Sequence, residues 1–156
     1  MLSKITSLHQ VQALAVVMPI LVLVVIDDLR NFRIRNHVVL ALLALFGVFY
    51  LVNGDLDAFT SHLLFGLAMF GLCLVMYRFG MMGGGDVKLL AVAFLWMGIE
   101  NATVFAMLLG MLAMGYATGA SFHLLPYRTD NGRVKVPYGP TISLAWVGAS
   151  LASIIL

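Results

Sequence analysis

Two aspartates stand out for the company they keep. Asp86 follows three glycines in Gly83-Gly84-Gly85-Asp86-Val87-Lys88, and Asp28 sits far earlier in Asp27-Asp28-Leu29-Arg30, both in a chain that is otherwise largely apolar. Ionisable groups in or beside a membrane are costly and mark function by default. Two carboxylates brought together in a low-dielectric site do not easily both ionise; they share a proton and titrate as a pair. Such a pair suits hydrolysis of a peptide bond. The ionised member deprotonates a water while the protonated member polarises the scissile carbonyl. This chemistry needs neither metal nor cofactor, and none is expected. Glycine carries no side chain, so a Gly-rich loop lets a second, extended chain come close. The same aspartates would equally serve a small transporter or channel that binds a proton or cation. A non-catalytic assembly protein would not depend on them.

Simpler readings stand beside these. Asp27 and Asp28 can merely open a polar loop and offset Arg30, Arg33 and Arg35, and Asp86 can be a capping carboxylate at a helix start. Lys88 either tunes the carboxylate pair or reaches to lipid headgroups, and the second is preferred because near-surface lysines snorkel. Asp55, Asp57 and Glu100 read as solvated loop residues. His9, His37, His62 and His123 are scattered without ligand spacing and read as structural. The single Cys73 excludes an intramolecular disulfide and a multi-cysteine zinc site. No HExxH motif or Ser-His pairing supports another protease chemistry.

The elements that must hold the aspartates follow from composition. The 156 residues are 62% hydrophobic and 10% charged, with mean hydropathy +1.03, against about 25% charged in a soluble domain. An all-α membrane protein is predicted, a single domain over 1–156 with about six transmembrane helices and no nucleic-acid partner. Segment one spans about Leu8–Ile26 with Pro19 inside, segment two about His37–Val52, and segment three about Ala58–Tyr77. Segment four is short: only Leu89–Ile99 is uncharged between Lys88 and Glu100, roughly 17 Å of helix against a ~30 Å hydrocarbon core. A backbone broken at Gly83–Gly85, lining a protein cavity, would reconcile that length with Asp86 at some depth. Segment five starts near Asn101 and carries Gly115-xxx-Gly119, a small-residue packing face. Segment six is about Pro137–Leu156. Apart from Lys4, the Lys and Arg residues fall in or beside the first, third and fifth loops. The positive-inside rule then places those loops in the cytoplasm and both termini outside, with Asp28 and Asp86 on the cytoplasmic side.

These residues resemble a family. Gly83-Gly84-Gly85-Asp86 has the Gly-x-Gly-Asp form of the membrane aspartyl proteases, the class of type IV prepilin peptidases, archaeal preflagellin peptidases and presenilin. Asp28, with Ile34 at +6 and Asn36 at +8, resembles the prepilin-peptidase pattern of an aspartate, a basic loop and Ile-Pro-Asn at the next helix start. Lys88 two after Asp86, and Pro137-Tyr138-Gly139-Pro140 near the end, resemble the same family. The resemblance implies that Asp28 and Asp86 are the catalytic pair. It implies loop-shaping or substrate-side roles for Gly83, Gly85, Lys88, Asn36, Pro137 and Gly139. Arg35 stands where that family usually has proline, which bears on how the second helix starts. With one cysteine and a short first loop, the chain resembles the small, peptidase-only kind serving Flp or tight-adherence pili, without methyltransferase activity. The implied substrate is a prepilin with a basic leader and an N-terminal hydrophobic helix, cut at the cytoplasmic face of a bacterial or archaeal cytoplasmic membrane. Asp27 and Asp130 are the acidic groups available to meet such a leader.

Overall fold

The structure, a computed structural model, describes residues 2–122, 128–130, 133–135 and 137–155, and side chains within 10–122 and 137–155. Five helices account for nearly all of it: α1 (Leu2–Asn31), α2 (Asn36–Asn53), α3 (Leu56–Arg78), α4 (Gly84–Ser121) and α5 (Gly139–Ile155). Between α4 and α5 lies a two-stranded antiparallel hairpin, β1 (Arg128–Asp130) and β2 (Arg133–Lys135), with Thr129 opposite Val134. The all-helical expectation holds but for this hairpin. Lys4, His9, His123, Arg128, Asp130, Arg133 and Lys135, all weighed in the sequence, have side chains outside the described residues.

Helix boundaries follow local chemistry. Gly54, at φ 69° and ψ 16°, ends α2 in the left-handed conformation, and its N–H bonds the Tyr50 carbonyl. The next residue, Asp55, caps α3 by accepting a 2.9 Å hydrogen bond from the Ala58 amide. Two adjacent residues thus stop one helix and start another, and Asp55 has a capping role beyond solvation.

The count of six separate helices is not met, because the expected fourth and fifth segments are one element, α4. Nor is α4 broken at the glycine triplet: Gly83–Gly85 stands at its start, and its only non-helical residue is Gly98 (φ 63°, ψ −178°). The rings of Phe94 and Phe105 meet edge to face at 5.0 Å. Eleven residues of straight helix would separate them by about 16 Å, so the chain doubles back at Gly98 into two limbs, 84–97 and 99–121. The conformation of Gly98 is one that only glycine adopts readily, and a Cβ there would lie 2.6 Å from the His62 ring and the Glu100 carboxylate. The break frees a carbonyl, which finds a partner: His62 Nδ1 lies 3.0 Å from the Leu95 oxygen. The Tyr50 hydroxyl meets the other ring nitrogen at 3.3 Å.

The first limb of α4 is the centre of the molecule. Every residue from Leu89 to Gly98 is buried, with α3 and α5 packed most extensively on α4 and α1 on α5. Gly66 of α3 comes so close to Leu95 that a Cβ would sit 2.8 Å from its side chain. Trp96 donates its indole N–H to the Leu42 carbonyl at 3.1 Å, tying α4 to α2. The outer surface is apolar as well, with Leu40, Val48, Leu64, Met107 and Leu144 exposed. Four helical stretches, Gln10–Asn31, Asn36–Asn53, Leu56–Arg78 and Gly84–Ser121, are long and apolar enough to cross a membrane, and α5 is a shorter apolar helix. A surface of this kind marks contact with lipid.

Candidate active site

Asp28 lies in the last turn of α1 and is only 3% exposed. A buried carboxylate must find donors, and one comes from the far end of the chain: the Gly139 amide at the start of α5 donates to Oδ2 at 2.7 Å. The first amides of a helix have no partner within it and favour an anion. The approach depends on glycine, since a Cβ on Gly139 would sit 2.8 Å from that oxygen and 2.9 Å from the Asp28 Cβ. Beyond Asp28 the chain leaves α1 through Phe32, the only described non-glycine residue at positive φ (51°), whose N–H returns to the Asp28 carbonyl at 2.8 Å.

Asp86 sits in the first turn of α4, three residues after the N-cap Gly83. From there its carboxylate reaches back to accept the Gly83 backbone amide, which is half of a capping box. A Cβ on Gly83 would lie 2.7 Å from Oδ2. Gly85 faces Ile34 of the α1–α2 connection, where an added Cβ would meet the Ile34 Cβ at 3.3 Å. The glycines give this helix start room rather than a bend, and the capping reading of Asp86 is correct as far as it goes.

Both carboxyls open onto one cavity of about 600 Å³, lined also by Gly83, Gly85, Pro137 and Tyr138. Asp28 and Asp86 are close enough to act on each other electrostatically. Among the described residues no group of three or more His, Cys, Asp or Glu side chains is arranged to hold a metal ion.

Lys88 and Asn36 stand apart from this cavity. They pair with each other, Nζ to Oδ1 at 3.0 Å, on an exposed surface. Asp27 is held by Arg35 (Nε to Oδ2, 2.8 Å) and by the Asn31 amide (2.8 Å to Oδ1). Of the two acidic groups available for a basic leader, Asp27 is thus already engaged, and the Asp130 side chain lies outside the described residues. The ion pair also gives Arg35 a role where the resembling family has proline: it fixes the residue that precedes α2.

Sequence reasoning gave no site role to Arg33 and Tyr138, which line the cavity; His62, read as structural, does hold a structural place, at the break in α4. Tyr138 belonged to a stretch already singled out, whereas nothing near His62 signalled its distant partner, Leu95.

The fold and cavity define a class: a helical, multi-pass membrane protein in which two carboxyls from separate helices face a common cavity. The type IV leader peptidase family model matches residues 15–120, a span that holds both Asp28 and Asp86. The chain belongs to the type IV leader peptidase family, and so to a family of proteases. No protein of curated function and no solved structure matches it.

Proposed function

We propose that this protein is a membrane-embedded aspartyl endopeptidase that removes the leader of Flp-like prepilins at the cytoplasmic face. One observation carries the reading: Asp28 and Asp86, distant in sequence, line the same cavity in a chain of this family. A water held between the two carboxyls attacks the scissile carbonyl carbon. Its proton passes to the ionised aspartate while the protonated one donates to the carbonyl oxygen. Collapse of the tetrahedral species breaks the C–N bond, and the leaving amine takes up a proton from the pair. The Gly139 amide supports Asp28 from α5, Pro137 lines the cavity beside them, and Gly83 and Gly85 give Asp86 its space. Lys88 and Asn36 act on the substrate side, outside the reacting centre.

The two limbs of α4 act as separate passes, six in all, so that the ends of α1 and α3 and the starts of α2, α4 and α5 share one side. The arginines at 30, 33, 35 and 78 make that side cytoplasmic by the positive-inside rule, with both termini outside. Cleavage of a prepilin in reconstituted vesicles, read as a mobility shift, tests the reading. Asp28→Asn and Asp86→Asn abolish cleavage, whereas Asp27→Asn retains it. Continued cutting by both of the first two variants would sink the two-aspartate mechanism. Ion flux without any product peptide would favour a transporter.

A further inference from the structure

A second large space lies on the other side of the α4 start. It is an open, apolar groove of about 490 Å³ between α2 and α3, floored by the first limb of α4. Each wall is a regular helical face. In α2 it is Asn36, Val39, Leu40 and Leu43, at i, i+3, i+4 and i+7, and the same spacing recurs in α3 from Leu63 to Phe70 and in α4 from Lys88 to Leu95. Such spacing keeps one side of a helix in register over two turns, so the groove runs straight for about 10 Å. Three parallel walls of this kind leave a vacant fourth position, the shape in which an apolar helix docks.

Two features select the occupant. Lys88 is the one charged residue lining the groove and stands at one end, bonded to Asn36. No carboxylate within ion-pair distance of it is found among the described residues. Lys88 also lies two residues after Asp86, about 200° around the same helix turn. Ile34 and Asn36 repeat the arrangement, the first lining the aspartate cavity and the second the groove. Groove and cavity therefore flank the first turn of α4. A helix seated in the groove ends beside Lys88, and about three extended residues carry the chain across one helix diameter to Asp86. The ammonium at that end keeps a cationic segment out of the groove.

We infer that this groove seats the apolar helix of the substrate, with the scissile bond delivered over the first turn of α4 to the aspartates. The inference rests on the peptidase reading and adds where the substrate lies.

The test is photocrosslinking from positions 40, 67 and 144 in Asp28→Asn protein, reconstituted with a full-length prepilin that wild type cuts under the same conditions. Leu40 and Leu67 border the groove, and Leu144 is an exposed leucine on α5; at 62%, 57% and 59% exposure all three tolerate the replacement. Adducts with prepilin from 40 and 67 but not from 144 are expected. In the otherwise wild-type enzyme, Leu67→Trp raises KM for this prepilin roughly tenfold with kcat within about twofold, the signature of lost ground-state binding. Adducts with lipid alone, or equal prepilin adducts from all three positions, overturn the groove assignment and leave the peptidase standing. A wild-type protein that leaves the prepilin intact overturns both.

Discussion

The Gly139 amide and the Asp28 carboxylate are 111 residues apart and joined by a 2.7 Å hydrogen bond. The first helix thus takes its support from the last, and the contact leaves no room for a side chain on Gly139. Gly139→Ala is expected to slow prepilin cleavage by about ten- to a hundredfold, the equivalent of a charge-assisted bond of roughly 1.5–3 kcal/mol. Initial rates in vesicles, with a size-exclusion profile to show that the variant folds, check this. An unchanged rate would show that Asp28 does not depend on that amide.

The three glycines before Asp86 should differ in rank. A Cβ on Gly83 meets the Asp86 carboxylate at 2.7 Å, one on Gly85 meets Ile34 at 3.3 Å, and one on Gly84 meets the Tyr77 ring at an ordinary 3.5 Å. Activity should therefore fall most for Gly83→Ala, less for Gly85→Ala and least for Gly84→Ala. Because the obstacle at Gly83 is the reacting group itself, that variant loses activity with little loss of stability. Cleavage rates and thermal unfolding in detergent, measured on the same three samples, separate the two effects.

Gly98 predicts the reverse pattern. Its backbone lies in a region that costs a residue with a side chain about 1–3 kcal/mol, and the His62 ring fills the space beside it. Gly98→Ala should lower the unfolding temperature clearly, and His62→Phe should do so by leaving the Leu95 carbonyl unpaired, at a cost of about 1–3 kcal/mol. Thermal melts in detergent read both. Melts that match wild type would show that the break in α4 is not held by these residues.

Asp27 is the control for Asp28. Its pair with Arg35 is partly exposed, the Arg35 side chain at 57%, and such pairs contribute about 0–1 kcal/mol. Asp27→Asn and Arg35→Ala should each leave cleavage within about threefold, and a double-mutant cycle should give a coupling below about 1 kcal/mol. A Asp27→Asn variant as inactive as Asp28→Asn would reassign the pair.

The sequence made the aspartate cavity legible because carboxylates in an apolar chain have few reasons to exist, and Asp28 and Asp86 do meet in one space. The short Leu89–Ile99 stretch also signalled that segment four was unusual. The place of the break was misread because a glycine run suggests a bend, whereas here Gly83 and Gly85 make room for neighbours and a lone glycine, Gly98, turns the chain further on. The partners of Asp28 and Leu95 come from Gly139 and His62, and no local pattern carries contacts of that range. The groove was hidden for a related reason: each wall reads as an ordinary apolar helix face, and only their juxtaposition leaves a vacancy.

The fold-back at Gly98 also bears on biosynthesis. The limb before it is buried among the other helices from Leu89 to Gly98 and, at roughly 20 Å, is shorter than the ~30 Å hydrocarbon core. It makes a poor stop signal by itself as it leaves the ribosome. The limb behind it is longer and faces lipid at Met107 and Met111. The two should therefore enter the bilayer as a pair, the second carrying the first, so that Asp86 reaches its depth only after the chain beyond Gly98 has emerged.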